Sequence, residues 1–177
     1  LDSDLGYHFI PGARSNWGFF LLNRYGIMLG GKIDEETGAR NDAWLLSQWN
    51  FDIRSRRGLG VGLDLFDMRL DNNPNLGWLK FYYLNDMDAS LERSAEPRGY
   101  VNEDRWKLEL KHRADLREQG ELRTYLYFDI TALSDRFFLE DFEPVTVKID
   151  PNPNNEAGIF HRHPSYLAGI FTRLKLN

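Results

Sequence analysis

Five charged residues at alternate positions, Arg105, Lys107, Glu109, Lys111 and Arg113, form the densest run of chemistry in the chain. On a β-strand they share one face, because side chains two positions apart point the same way. Lys and Arg in such a row suit phosphate groups. Glu109, with Asp115 further along the same face, partly neutralises the row, so a solvated polar face is the plainer reading. Other reactive groups are scattered. His112, Ser134 and Asp135 have the residue types of a hydrolytic triad. Nothing in the sequence places them together and no nucleophile elbow surrounds Ser134, so no catalysis is expected. His161 and His163 put two rings on one face of a strand, as a metal pair needs. Pro164 and the Asn-rich stretch before them point instead to a surface loop, and no metal or cofactor is expected. Gly60-x-Gly62 is not a nucleotide loop, because no helix follows it; close strand packing accounts for it better. The chain has no cysteine, which excludes disulfide, zinc–thiolate and thiol chemistry.

The elements that must carry these residues read as strands. In residues 105–116 every charged side chain but His112 falls on one face, with Trp106, Leu108 and Leu110 on the other. A helix would scatter the charges around its circumference. Residues 121–132 repeat the pattern, with Leu122, Leu126, Phe128 and Ile130 sharing a face, and the tight turn 117–120 joins the two runs into a hairpin. Further strands are expected over 17–29, 43–54, 59–70, 77–86 and 166–176, giving about seven or eight in all. Several runs have about 10–12 residues, against about 5–6 in a typical soluble strand and about 9–11 in a strand crossing a bilayer. The turns 56–58 and 117–120 are tight, whereas 31–41, 88–104 and 150–158 are long and polar. Short turns on one side and long loops on the other are the outer-membrane pattern. Residues 135–142, dense in acids and aromatics, suggest a short loop helix. Ser134, Asp135, Phe137, Phe138 and Phe142 are its candidate structural residues, with Asp135 holding the turn through backbone N–H groups.

Composition agrees with that class. Aromatic residues make up 14% of the chain, as suits pleated surfaces and barrel girdles. Charged residues make up 28% and mean hydropathy is −0.53. A barrel tolerates both values, because only alternate strand residues face lipid. A helical membrane protein is excluded, since no run of about 18 apolar residues occurs. The net charge of −5 argues against a nucleic-acid partner. The chain begins at Leu1 without a leader-like pattern and stops at Asn177 just after an alternating stretch, so a piece of a longer barrel is expected.

Several stretches, in order along the chain, carry a family resemblance. They are Pro11-Gly12-Ala13-Arg14-Ser15-Asn16-Trp17-Gly18-Phe19, Arg57-Gly58-Leu59-Gly60-Val61-Gly62-Leu63-Asp64, residues 78–86, the Arg-Trp strand 105–113, and Ser134-Asp135-Arg136-Phe137-Phe138-Leu139-Glu140-Asp141-Phe142. Together they resemble the barrel domain of the LptD (organic solvent tolerance) family of lipopolysaccharide-assembly proteins. The Ser-Asp…Asp-Phe segment behind an Arg-Trp strand is the most specific of them. The family's preceding periplasmic jelly-roll, the later half of its barrel and its cysteines have no counterpart in these residues. The resemblance implies an all-β fold, an antiparallel up-and-down meander spanning 1–177 as part of a transmembrane barrel in a Gram-negative outer membrane. It implies lipopolysaccharide as cargo, contact with outer-membrane lipid, a plug lipoprotein and a periplasmic bridge protein as partners, and no enzymatic activity. Arg105, Lys107, Glu109, Lys111 and Arg113 would then face the lumen. Pro11 and Gly12, ill suited to a regular ladder, would mark a weakened gate edge. Two other readings stand beside it. One is a porin or siderophore channel of the same architecture; the other is a soluble β-sandwich that binds a ligand.

Overall fold

The computed structural model describes residues 4–37, 40–69, 77–89, 98–144, 153 and 155–174. The long strands are β1 (Gly6–Arg14), β2 (Gly18–Leu29), β5 (Leu45–Arg54), β6 (Gly58–Asp67), β7 (Gly77–Asn85), β8 (Asp104–Gln119), β9 (Leu122–Leu133), β10 (Glu156–His163) and β11 (Tyr166–Arg173). The two-residue strands β3 (Lys32–Ile33) and β4 (Arg40–Asn41) pair within the connection between β2 and β5, and one short helix, α1 (Phe138–Phe142), follows β9. The nine long strands form one antiparallel sheet in chain order, with β1 and β11 at its two edges.

The expected hairpin is present, with its first strand longer and its turn tighter than the sequence suggests. β8 runs to Gln119, so only Gly120 and Glu121 make the turn. The alternation that seems to stop near Leu116 is a register shift between Asp115 and Arg117. One extra residue there swaps the faces of everything beyond it.

One strand runs unbroken through two residues expected to weaken it, and another lies where the sequence suggests irregular chain. Pro11 and Gly12 do not break their ladder: β1 pairs with β2 without a gap, including Pro11 with Leu21 and Gly12 with Phe20. Pro is tolerated because β1 is an edge strand and one side of it carries no ladder. The polar connection expected over 150–158 gives way at Glu156 to β10. His161 and His163 therefore stand in a strand that pairs with β9 and β11 rather than in a loop. The rest of that stretch, the tip of the 88–104 connection and the chain just after Met68 and Arg69 fall partly or wholly outside the described residues.

The expected separation of short turns from long loops does not hold. In an antiparallel meander successive connections alternate ends. The tight turns at 15–17 and 55–57 lie at one end, with the long connections after β7 and β9. The tight turns at 120–121 and 164–165 lie at the other, with the connections after β2 and β6.

The two faces of the sheet differ in kind. One carries Tyr7, Phe9, Phe19, Leu21, Trp49, Phe51, Ile53, Leu59, Val61, Leu79, Phe81, Trp106, Ile159 and Ile170, all exposed, with Phe19 at 79% and Ile170 at 85%. The opposite face buries Gln48, Asp52, Arg54, Arg105 and Lys107. Among the described residues more of the buried side chains are polar or charged than hydrophobic. The apolar core that exists is small: Trp17, Leu84, Phe138, Leu139 and Phe142, where α1 lies on the polar face.

Candidate functional site: an ionic hub and polar cavity under helix α1

Four connections meet at the end of the sheet that carries α1. The turn between β5 and β6 brings Arg57, and Gly58, at φ +99°, lets that turn lie against the backbone carbonyl of Asn85, where a Cβ would collide. The connection between β7 and β8 brings Asp86 and Arg98, and Arg105 is the second residue of β8. The segment after β9 supplies Asp135 and Asp141. The turn between β1 and β2 supplies Trp17, whose indole N–H donates to the backbone carbonyl of Asp141 at 2.8 Å.

Asp141 is the centre of this assembly. Its Oδ2 receives Arg57 Nη2 at 2.9 Å, Arg98 Nη1 at 2.9 Å and Arg105 Nη1 at 2.6 Å. Asp86 Oδ2 is shared by Arg57 at 2.6 Å and Arg105 at 2.9 Å. Arg105 Nε and Nη2 then clasp Asp135 as a fork, at 2.9 and 2.8 Å, the bidentate geometry a guanidinium favours. Three guanidinium groups thus answer three carboxylates, and Arg57, Asp86, Arg105 and Asp141 are 2% exposed or less. Burial pushes the Asp141 carboxyl up. The hydrogen bonds from Arg98 and Arg105 and the charges of Arg57 and Arg105 outweigh it and hold Asp141 below the usual carboxylate range. Aromatic rings close the hub from above: the Arg57 and Arg105 guanidinium carbons sit 4.9 and 5.0 Å from the Phe142 ring centre.

Beside the hub, α1 roofs a polar cavity of about 270 Å³ lined by Arg24, Asn50, Asp52, Arg54, Asp64, Lys80, Tyr82, Lys107, Phe138, Phe142 and Glu143. Its floor is a connected network. Arg54 donates to Tyr82 Oη at 2.6 Å and to Asp52 at 3.1 Å, and Tyr82 donates to Asp52 at 2.7 Å. Lys107 reaches up to Glu143 and across to Glu109 at 3.1 Å. A second cavity of about 250 Å³, toward β1, shares Arg24, Asn50 and Asp52. The β2–β5 ladder is locally interrupted there. Leu22 and Asn23 have no backbone partner across it, and the Asn23 N–H turns to Asp52 Oδ1 at 3.4 Å.

The structure places the sequence-predicted residues as follows. Arg105, Lys107, Glu109, Lys111 and Arg113 do share the polar face, and each has an ionic partner. Lys111 pairs with Asp129 at 3.2 Å and Arg113 with Asp115 at 3.5 Å. Asp135 holds its turn as expected, accepting the Phe137 N–H at 2.9 Å, and Ser134 donates to Asp135 at 2.8 Å. Phe138 and Phe142 are buried in the core, while Phe137 lies under the guanidinium groups of Arg98 and Arg136. His112, Ser134 and Asp135 are not brought together. His112 pairs with Phe128 on the apolar side, six residues along β8 from Trp106, whose carbonyl receives the Ser134 N–H. His161 is bonded to Thr124 at 2.9 Å and His163 stacks on Tyr166 at 4.7 Å. No metal-binding group of three or more ligands occurs among the described residues. Arg57, Asp86 and Asp141 stand in the stretches that carry the resemblance, but the sequence assigns them no role, and it does not single out Arg98. No protein-family model matches the chain, and no curated protein matches it.

Proposed function

We propose that this chain forms part of the wall of a transmembrane β-barrel in a Gram-negative outer membrane, and that the barrel inserts lipopolysaccharide into the outer leaflet. The observation that carries the barrel reading is the inverted polarity of the sheet. A broad apolar face lies open, while arginines, lysines and aspartates are packed on the opposite face. Soluble monomers rarely leave contiguous apolar patches above a few hundred Å² uncovered, whereas barrel strands alternate apolar-out and polar-in. Further strands would join β1 and β11, since an open edge is not tolerated in hydrocarbon. The lipopolysaccharide reading rests on the resemblance of five stretches to the LptD family. In that reading the polar cavities accommodate an anionic sugar head, and an edge at β1, near Pro11 and Gly12, lets acyl chains pass sideways into lipid. A plug lipoprotein and a periplasmic bridge protein are the partners it brings.

The test of the barrel is depth-dependent quenching of single-tryptophan variants in vesicles with brominated acyl chains. Trp49 and Trp106 should be strongly quenched, and Trp17, under α1, should not. Equal quenching of all three, or a monodisperse detergent-free monomer with a cooperative melt, would support a soluble sandwich instead. The cargo is tested separately by complementing a strain depleted of its lipopolysaccharide translocon. Rescue of growth and of antibiotic exclusion is expected. A well-inserted protein that restores neither would leave the barrel and remove the cargo.

A further inference from the structure

We infer that residues 134–143 form a lid over one end of the polar face, closed in this structure by Asp141, and that its opening regulates passage along that face; this rests on the barrel reading above. Three observations lead there. First, α1 has little reason to stay in place by itself. It has five residues, no side-chain cap at its start and no basic residue in its last turn, and a helix so short is not stable alone. Its position is set by what it touches.

Second, what it touches is the complete set of connections at that end. Asp141 joins the β1–β2 turn through Trp17, the β5–β6 turn through Arg57, the β7–β8 connection through Arg98 and the start of β8 through Arg105. At the opposite end the turns 120–121 and 164–165 join no such hub among the described residues. Buried ion pairs of this kind return little net stability because of the water they displace, yet breaking one partner is costly. They fix one arrangement against others, which is the property a two-state element requires.

Third, the lid is itself a wall of the cavity. Phe138, Phe142 and Glu143 line it from above, and Lys107 spans from the sheet to Glu143. Moving 134–143 away therefore opens the cavity to that end, takes Glu143 from Lys107 and uncovers Arg54 beneath it.

The experiment uses the barrel completed by the further strands that join β1 and β11, reconstituted in planar bilayers and vesicles, with Asp141→Asn to remove the charge while keeping the shape. Loss of a charge-assisted hub worth one decade in equilibrium should raise the open fraction about tenfold, read as conductance and as uptake of a large antibiotic at equal barrel abundance. A second variant adds Lys107→Cys and Glu143→Cys to Asp141→Asn, in a chain with no other cysteine. Bridging the pair with a cleavable thiol reagent should return conductance to the low level, and cleaving the bridge should release it. An inserted Asp141→Asn protein with unaltered conductance would overturn the lid, as would a bridge that leaves elevated conductance unchanged. Failure of the completed barrel, unsubstituted, to insert would overturn the barrel reading and the lid with it.

Discussion

One carboxylate facing three arginines has a defined response to acid. Guanidinium groups stay charged throughout the accessible range, so protonation of Asp141 unbalances the hub. Because Asp141 is held below the usual carboxylate range when folded, its contribution is present above the unfolded value, about 4. It is lost as pH falls through the lower folded value. Trp17, hydrogen-bonded to the Asp141 carbonyl, reports this locally. Its amide and indole protons should lose exchange protection as pH drops below about 4, while those of the β5–β6 ladder remain protected; simultaneous loss of both would assign the effect to global unfolding. At this scale the sequence disclosed Asp135, whose turn bond to Phe137 is local. Asp141 stands in the Ser-Asp…Asp-Phe segment, but its role was hidden, because the arginine that donates to it from the β5–β6 turn lies 84 residues away and no spacing rule connects the two.

At the scale of elements, alternation was readable wherever a strand is amphipathic throughout. β8 and β9 were the plainest cases, and the side chains expected together on the polar face are together. β1 was obscured by Pro11 and Gly12, which look like breakers until their edge position is known. β10 was obscured because Gly158 interrupts its pattern and its end is polar, His161-Arg162-His163. The apolar face of the β8–β9 hairpin gives a quantitative expectation. Leu110 pairs with Ile130 and Leu126 with Ala114, all on the open side. Leu110→Arg or Leu126→Arg should cost about 2–4 kcal/mol near the bilayer midplane, measured by reversible denaturant unfolding in lipid vesicles. Lys111→Gln, on the other face, should cost less, since Lys111 is a partly exposed ion pair with Asp129. Equal costs for the two faces would contradict the orientation.

For the molecule as a whole, the all-β meander followed from composition, strand length and turn spacing. The distribution of its loops did not. Successive connections alternate ends, so the tight turn after β5 shares an end with the long connection after β7 whatever strand comes first, and the expected sidedness fails on that parity. The roofed cavity stayed hidden because it rests on contacts between residues distant in sequence, such as Arg57 and Asp141. A sheet with two open edges and one bare apolar face also carries an aggregation hazard in water, which the exposed Tyr166, Leu167, Ile170 and Phe171 of the β11 edge make acute.

The register shift between Asp115 and Arg117 works as a waterline. β8 has 16 residues, more than the roughly 9–11 a tilted strand needs to cross hydrocarbon. Beyond the shift Arg117 and Gln119 take positions on what had been the apolar side. In the proposed barrel the hairpin tip would project out of the bilayer, with Gly120, where an added Cβ would meet only open space, in its turn. A short epitope inserted between Gly120 and Glu121 should leave barrel abundance unchanged. Protease or antibody access in intact cells would then report which side of the membrane this end faces. Loss of the barrel on insertion would mean that the tip is packed rather than projecting.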